Sequence, residues 1–123
     1  MKRIIIVFSF FSLFLTLLAD DPTVANINLQ HRNHGDHIEY YPPADQPDVY
    51  YDSVNQVIII NGGGAVTYYD VEVAPLSTFV PVTSTQISGY YDTIDVSSMS
   101  AAEYVITIYS PEGNTFEGFF EIE

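Results

Sequence analysis

The sequence predicts an all-β protein built as an antiparallel β-sandwich of about seven strands. Apolar residues occur in short runs rich in Val, Ile, Tyr, Phe and Thr, and Gly, Pro, Asn, Asp and Ser separate these runs. The runs recur at the spacing that is typical of sandwiches and barrels. After residue 19, no stretch repeats its apolar residues with the period of a helix. These three observations together predict two packed sheets with polar outer faces.

The first element, residues 1–19, is predicted to be a cleaved signal peptide. Met1, Lys2 and Arg3 form a positive start, an uncharged and mostly apolar run covers residues 4–18, and Ala19 suits the position before the cut. A spanning helix needs about 20 apolar residues, so this run is short for a membrane anchor. We therefore expect export to the periplasm or the extracellular space, with no membrane attachment after cleavage. An uncleaved anchor is the alternative.

The second element, residues 20–47, is predicted to be an irregular N-terminal arm. It contains all three histidines and two consecutive prolines, and residues 24–29 are a candidate edge strand within it. The remaining element, residues 48–123, is predicted to be the β-sandwich domain. Its predicted strands cover residues 48–53, 56–61, 66–73, 78–86, 90–96, 103–110 and 115–122.

The last predicted hairpin has the clearest pattern. A turn with Pro111 and Gly113 connects two strands whose apolar residues alternate with polar ones. Pro75 and Pro81 favour an edge position or a nearby bulge, because proline cannot donate a hydrogen bond to a neighbouring strand. The residues predicted to face the core are Ile58, Ile60, Val71, Val73, Val80, Val82, Ile94, Val96, Tyr104, Ile106, Ile108, Phe116, Gly118, Phe120 and Ile122.

The charge of the chain limits its partners. All 16 acidic residues follow Ala19, and Arg32 is the single basic residue in that part of the chain. The formal charge after cleavage is therefore −15. Such a surface repels nucleic acid and anionic membranes, and its self-repulsion favours a monomer. The absence of cysteine excludes a disulfide framework and a lipid-modified cysteine.

Four segments of the predicted domain resemble a family of small secreted proteins of Bacteroides-type bacteria, domain of unknown function 3244. They are Val49-Tyr50-Tyr51 with residues 55–59, Met99 with residues 103–108, Gly113, and Phe116-Glu117-Gly118-Phe119-Phe120. The resemblance implies an immunoglobulin-like sandwich of seven strands and export from the cytoplasm. It implies no established activity and supplies no catalytic residues.

The histidines of the arm are candidate metal ligands. His31, His34 and His37 are spaced three residues apart, with Asp36 and Glu39 beside them, and imidazole and carboxylate groups bind zinc, copper or nickel. A spacing of three brings side chains to one face only in a helix, and the glycine inside this run disfavours a helix. A solvated polar arm is therefore the simpler interpretation. The sequence predicts no cofactor, with a bound divalent cation as the alternative.

Three Tyr-Tyr-Asp triplets form the second candidate site. They fall on the first, third and fifth predicted strands, which would bring them to one end of an up-and-down sandwich. Exposed tyrosine rings beside carboxylates can stack on sugar rings or contact a protein partner, although tyrosine also simply suits half-buried strands. The predicted ligand-binding residues are Tyr51, Asp52, Tyr69, Asp70, Tyr91 and Asp92.

The sequence carries no recognisable catalytic motif. It has no cysteine, no lysine after residue 19 and no Gly-x-Ser-x-Gly elbow. The prediction is therefore an exported, non-catalytic binding or interaction module with an acidic, tyrosine-rich surface and a glycan or a protein as its partner. The alternative is a metal-binding protein that uses the histidines of the arm.

Overall fold

The computed structural model describes residues 23–32 and 43–123, and within these ranges it contains strands and turns only. The predicted signal peptide lies outside the described residues. No helix in the described part of the chain is long and apolar enough to cross a membrane. The strands are β1 (Val24–Ile27), β2 (Gln30–Arg32), β3 (Asp48–Asp52), β4 (Val57–Asn61), β5 (Tyr68–Pro75), β6 (Thr83–Ser88), β7 (Tyr91–Asp95), β8 (Ala102–Tyr109) and β9 (Thr115–Ile122).

The strands form two antiparallel sheets. Sheet A has the order β1-β3-β4-β7, and sheet B has the order β2-β9-β8-β5-β6. The chain crosses between the sheets after β1, β2, β4, β6 and β7, so strands that follow one another in sequence often lie in different sheets. The predicted all-β antiparallel sandwich is confirmed.

Alternation of side chains along the strands builds the core between the two sheets. Four isoleucines are fully buried: Ile58 and Ile60 of β4, and Ile106 and Ile108 of β8. The residue between the two members of each pair points to the outer face of its sheet. Burying a side chain of this size stabilises the fold by about 1.5–3 kcal/mol relative to leaving it in water. The other core residues include Val49, Tyr69, Val71, Val73, Ile94, Val96, Tyr104, Phe116 and Ile122.

Tyr104 also fixes a corner of the sandwich. It lies near the start of β8, and its hydroxyl donates a hydrogen bond of 2.6 Å to the backbone oxygen of Ser100, four residues earlier. A tyrosine in this position, bonded to the backbone just upstream, is a recurring feature of immunoglobulin-like sandwiches.

Residues 76–82 differ from the prediction. The backbone N–H groups of Thr78 and Phe79 both bond to the carbonyl of Pro75, so the chain turns there, and β6 begins at Thr83 instead of residue 78. Val80 and Val82 are 62% and 55% exposed, so the prediction that they belong to the core is wrong. The run of apolar residues there resembles a strand in composition, but the turn before it and the proline within it keep it out of the sheet.

Residues 23–32, predicted within an irregular arm, form two edge strands. β1 pairs with β3 in sheet A, and β2 pairs with β9 in sheet B. Ile27 is only 4% exposed, because the crossing from β1 to β2 packs over Gly118 of β9. The crossing therefore closes one side of the sandwich and makes this part of the arm integral to the fold.

Candidate functional site

A buried polar network lies at one end of the sandwich, around Asp45. Its carboxylate accepts hydrogen bonds from the Ser110 hydroxyl and from the Asn114 amide nitrogen, which is 3.0 Å from both carboxylate oxygens. Its backbone oxygen accepts a 2.7 Å bond from the Tyr69 hydroxyl. Asp45 is 5% exposed, so these bonds replace the water that the carboxylate loses. The network ties the loop before β3 to sheet B.

Tyr69 connects this network to the hydrophobic core. Burial, followed by the charge of Asp45, raises the pKa of Tyr69 to about 12. The tyrosine therefore remains a neutral donor across the physiological pH range.

His31 joins the same network through its ring. Its Nε2 atom lies 3.0 Å from the Asn114 carbonyl oxygen, and its ring centroid lies 5.4 Å from that of Phe116. Because the amide nitrogen of Asn114 already donates to Asp45, the amide oxygen accepts a hydrogen bond from Nε2–H of His31. In the neutral ring, the lone pair is then on Nδ1. That buried atom has no hydrogen-bond partner among residues 23–32 and 43–123.

The predicted metal cluster is only partly described. His34, His37 and Asp36 lie outside the described residues. Among the described residues, no group of three His, Asp or Glu side chains is arranged to hold a metal ion. His31 is therefore the one predicted ligand among the described residues, and none of these residues bonds to its Nδ1 atom.

The network does not present an exposed nucleophile. Ser110 is 7% exposed, its hydroxyl donates to Asp45, and the same oxygen accepts a 3.1 Å bond from the backbone N–H of Glu112. His31 is connected to Ser110 only through Asn114 and Asp45. The arrangement holds a loop in place, and sequence reasoning missed it because nothing in the neighbourhood of Asp45 or Ser110 forms a recognisable motif.

The three Tyr-Tyr-Asp triplets do not converge. The first lies on β3 and the third at β7 of sheet A, whereas the second lies on β5 of sheet B. Tyr51 and Tyr69 point into the core and are 8% and 0% exposed, so the expectation that they lie on the surface is wrong. Alternation on β3 and β5 turns the second tyrosine inward and the first one outward. Tyr91, by contrast, is exposed on the outer face of sheet A.

Two of the three triplet carboxylates are used locally. Asp52 accepts bonds from the side chain and backbone N–H of Asn55 and from the N–H of Val54, and these bonds lower the pKa of Asp52. Asp92 accepts bonds from the N–H groups of Ser88 (3.0 Å) and Thr93 (2.9 Å). Both carboxylates hold local backbone, so neither is a strong candidate for ligand contact.

Asp70 lies on a different surface, which we call the acidic face. This is the outer face of sheet B, where alternation turns the charged side chains of β5, β8 and β9 toward water. Arg32, the single cation in the described part of the chain, lies at one border of it and is 3.3 Å from Glu117. The carboxylates of the acidic face are those of Asp70, Glu72, Glu103, Glu117 and Glu121.

An open groove of about 350 Å³ crosses the acidic face between β8, β5 and β6. Within it, the Tyr109 hydroxyl donates to Glu72 at 3.3 Å, and the Gln86 amide donates to Asp70 at 3.2 Å. Burial, followed by the charge of Glu72, raises the pKa of Tyr109. The groove thus offers carboxylates, an amide and an aromatic ring, which can accept hydrogen bonds from a ligand and attract a cation. Asp70 is the one predicted site residue that contributes to it.

Comparison with known structures identifies the fold. The chain is similar to the crystal structure of a DUF3244 family protein with an immunoglobulin-like β-sandwich fold from Bacteroides vulgatus, with 16% sequence identity and a TM-score of 0.64. The match covers 81% of this chain and 99% of that one. No family model matches the sequence, and no curated protein matches it either. The predicted immunoglobulin-like fold is therefore confirmed, and the neighbour is a member of the family that the sequence resembles.

Proposed function

We propose that this protein is an exported, non-catalytic interaction module whose acidic face binds a cationic segment of a partner protein. The observation that supports this most is the groove between β5, β6 and β8, which Asp70 and Glu72 line. Arg32, the one cation among the described residues, does not line the groove. It is paired with Glu117 of β9 at the border of the acidic face, where its charge still acts on Tyr109. The groove has no positive charge of its own to neutralise these carboxylates.

Electrostatics favours a protein partner over a neutral glycan. Complementary charge accelerates encounter and selects between partners, whereas a ligand without charge would gain only hydrogen bonds from the carboxylates on this face. Tyr109 adds an aromatic surface on which a lysine or arginine side chain can rest. A sugar ring could use the same tyrosine, so glycan binding is a separate outcome of the test.

The test compares two double variants on a peptide array and a glycan array. Asp70→Asn/Glu72→Gln removes two charges from the groove, and Asp48→Asn/Glu123→Gln removes two charges elsewhere as a matched control. We expect cationic peptides to bind the parent and the control but to bind the groove variant at least about tenfold more weakly, because two ion pairs are lost. Binding that is confined to glycans, or that is equal for both double variants, would contradict the proposal.

A second proposal, metal binding by the arm, is supported by His31. Metal-bound histidines usually donate their other ring N–H to a carbonyl or carboxylate, and His31 does so to Asn114, which is in turn held by Asp45. We propose that His31 binds a divalent ion such as Zn²⁺ or Cu²⁺ with His34 and His37, assisted by Asp36 or Glu39.

Calorimetric titration with Zn²⁺ and Cu²⁺ tests the metal proposal. A dissociation constant tighter than about 10⁻⁵ M, lost when all three histidines are replaced by alanine, is the expected result. The proposal fails if neither ion binds that tightly or if the triple variant binds equally well. Asn114→Asp is a useful second variant, since it keeps a hydrogen-bond acceptor beside His31 and removes the amide N–H that donates to Asp45.

A further inference from the structure

We propose that the free edge of β6 is a site for strand addition, at which an extended cationic segment of the partner pairs with Thr83–Ser88. The inference rests on the proposed function of the acidic face, because the same groove lies beside β6. It adds how the partner binds, namely through its backbone.

One edge of β6 carries unpaired backbone groups. Among the described strands, β6 is the last of sheet B and pairs with β5 alone. The N–H of Gly89 donates a 2.9 Å hydrogen bond to the backbone oxygen of Thr67. Because the backbone N–H groups of a strand point alternately to its two sides, this bond shows which N–H groups of β6 face β5. Ser84, Gln86 and Ser88 then direct their N–H groups away from β5. The carboxylate of Asp92 accepts a hydrogen bond from the N–H of Ser88. Ser84 and Gln86 therefore present the N–H groups that no described residue binds.

The side chains along this edge are uncharged. Natural edge strands are usually protected by charged residues, prolines or bulges along their length. β6 carries no charged residue over six positions, in a protein with 16 acidic residues. The other strand edge on this side, β7, carries Asp92 and Asp95. An uncharged edge beside a strongly acidic face is therefore a local exception.

The carboxylates of β5 favour an occupant with positive charge. In the sheet register, Ser84 lies opposite Glu72, and Gln86 lies opposite Asp70. A strand added to β6 would therefore be separated from these two carboxylates by short or flexible polar side chains only. Strands lie about 4.8 Å apart, so a lysine or arginine on the added strand can extend over Ser84 toward Glu72. Strand addition supplies backbone bonds, and these carboxylates supply the preference for basic side chains.

An exposed apolar segment leads into β6. Phe79, Val80 and Val82 are 63%, 62% and 55% exposed. Phe79 has a φ of 58°, a left-handed conformation that is uncommon for an aromatic residue, at the end of the turn that its N–H closes with Pro75. An apolar side chain at the end of the added segment would cover this surface.

A second copy of the chain does not fit this edge. Pairing two β6 strands would place two acidic faces side by side, in a chain whose formal charge is −13. Like charges brought together in this way destabilise the pairing.

Strand addition is tested with a fluorescent synthetic peptide in which lysine alternates with valine and threonine. We expect saturable binding to the parent protein, and weakening of at least about tenfold in Ser84→Pro and in Gln86→Pro, each of which removes an outward N–H that β5 does not use. Circular dichroism of the variants confirms that the sandwich is intact. Thr85→Pro is the contrasting variant, because its N–H faces β5 and its loss should unfold the edge.

Peptides with N-methyl groups on alternate residues test the backbone contact without changing the protein. One of the two alternating patterns should abolish binding, since only one set of amides faces β6. If neither pattern weakens binding while Asp70→Asn/Glu72→Gln still does, strand addition is overturned and the proposed function stands. If none of these changes matters, both are contradicted. If sedimentation shows that the protein self-associates and that the peptide competes with this association, the proposal of a cationic occupant is overturned.

Discussion

At the scale of single residues, the buried side chain of Asp45 accepts hydrogen bonds from two residues of a distant turn. Asp45→Ala should leave the Ser110 hydroxyl and the Asn114 amide without their acceptor, and each orphaned group costs about 1–3 kcal/mol. We therefore expect the free energy of unfolding to fall by about 2–4 kcal/mol in urea titrations. Asp48→Ala, on an exposed position of β3, should change it by less than about 0.5 kcal/mol. Equal effects of the two substitutions would show that the network contributes nothing.

Tyr69 predicts how stability changes with pH. Its folded-state pKa of about 12 lies above the ordinary value of 10.0, so its contribution is complete below pH 10 and is lost as the pH rises from 10 to 12. Tyr69→Phe should unfold more easily at pH 7, because the bond to Asp45 is gone. The difference in stability between parent and variant should shrink above pH 10. A difference that stays constant up to pH 12 in denaturant titrations would contradict the assignment.

Single residues also show where sequence reasoning stopped. The tyrosine pairs were evident from the sequence, but alternation alone does not say which member of a pair faces the core. On β3 and β5 the second tyrosine of the pair faces the core, whereas the second tyrosine of the pair at β7 is exposed. The Asp45 network was not predictable, since Asp45, Ser110 and Asn114 meet only after the strands have folded.

At the scale of elements, Gly118 tests the crossing from β1 to β2. A Cβ atom there would lie 2.6 Å from the Ile27 side chain and 3.0 Å from the Asn28 backbone oxygen. Gly118→Ala should therefore destabilise the protein by about 1–3 kcal/mol through overpacking. Combining it with Ile27→Ala should cost less than the sum of the two single changes, since one clash is removed. Strict additivity in urea titrations would mean that the crossing does not pack on β9.

The seven strands predicted from residue 48 onward all exist, and most of them alternate buried with exposed side chains, although β6 contains a single apolar residue. Their ends move where local chemistry intervenes, as in residues 76–82, where a turn at Pro75 and the presence of Pro81 replace the expected start of β6. β2 was not predicted. It is three residues long, and such a short polar edge strand depends on its partner β9 more than on its own sequence.

At the scale of the whole molecule, the charge predicts a salt effect. The melting temperature should rise as NaCl is increased from about 0.01 M to 0.1 M, because the Debye length falls from about 30 Å to about 10 Å and screens repulsion among the carboxylates. Scanning calorimetry measures this directly, with sucrose as a control for general solvent effects. A flat or falling melting temperature would mean that repulsion does not limit stability.

The whole surface, unlike the fold, could only be predicted in outline. The sequence indicated an acidic, tyrosine-bearing exterior, and the chain has one. It did not indicate which face carries the groove, since Glu72, Tyr109 and Gln86 come from three strands and meet only through the order β8-β5-β6. Strand order depends on crossings between the sheets, which alternation does not specify.

The most direct test of this account is amide hydrogen exchange, measured residue by residue by NMR, along β6 and through the core of sheet B. The account predicts slow exchange for the amides within β5 and β8. Along β6 it predicts alternation, with Thr85 and Ile87 protected by β5 and with Ser84 and Gln86 exchanging rapidly. Rapid exchange throughout β5 and β8 would contradict the sandwich, and equal protection of all four β6 amides would contradict its free edge.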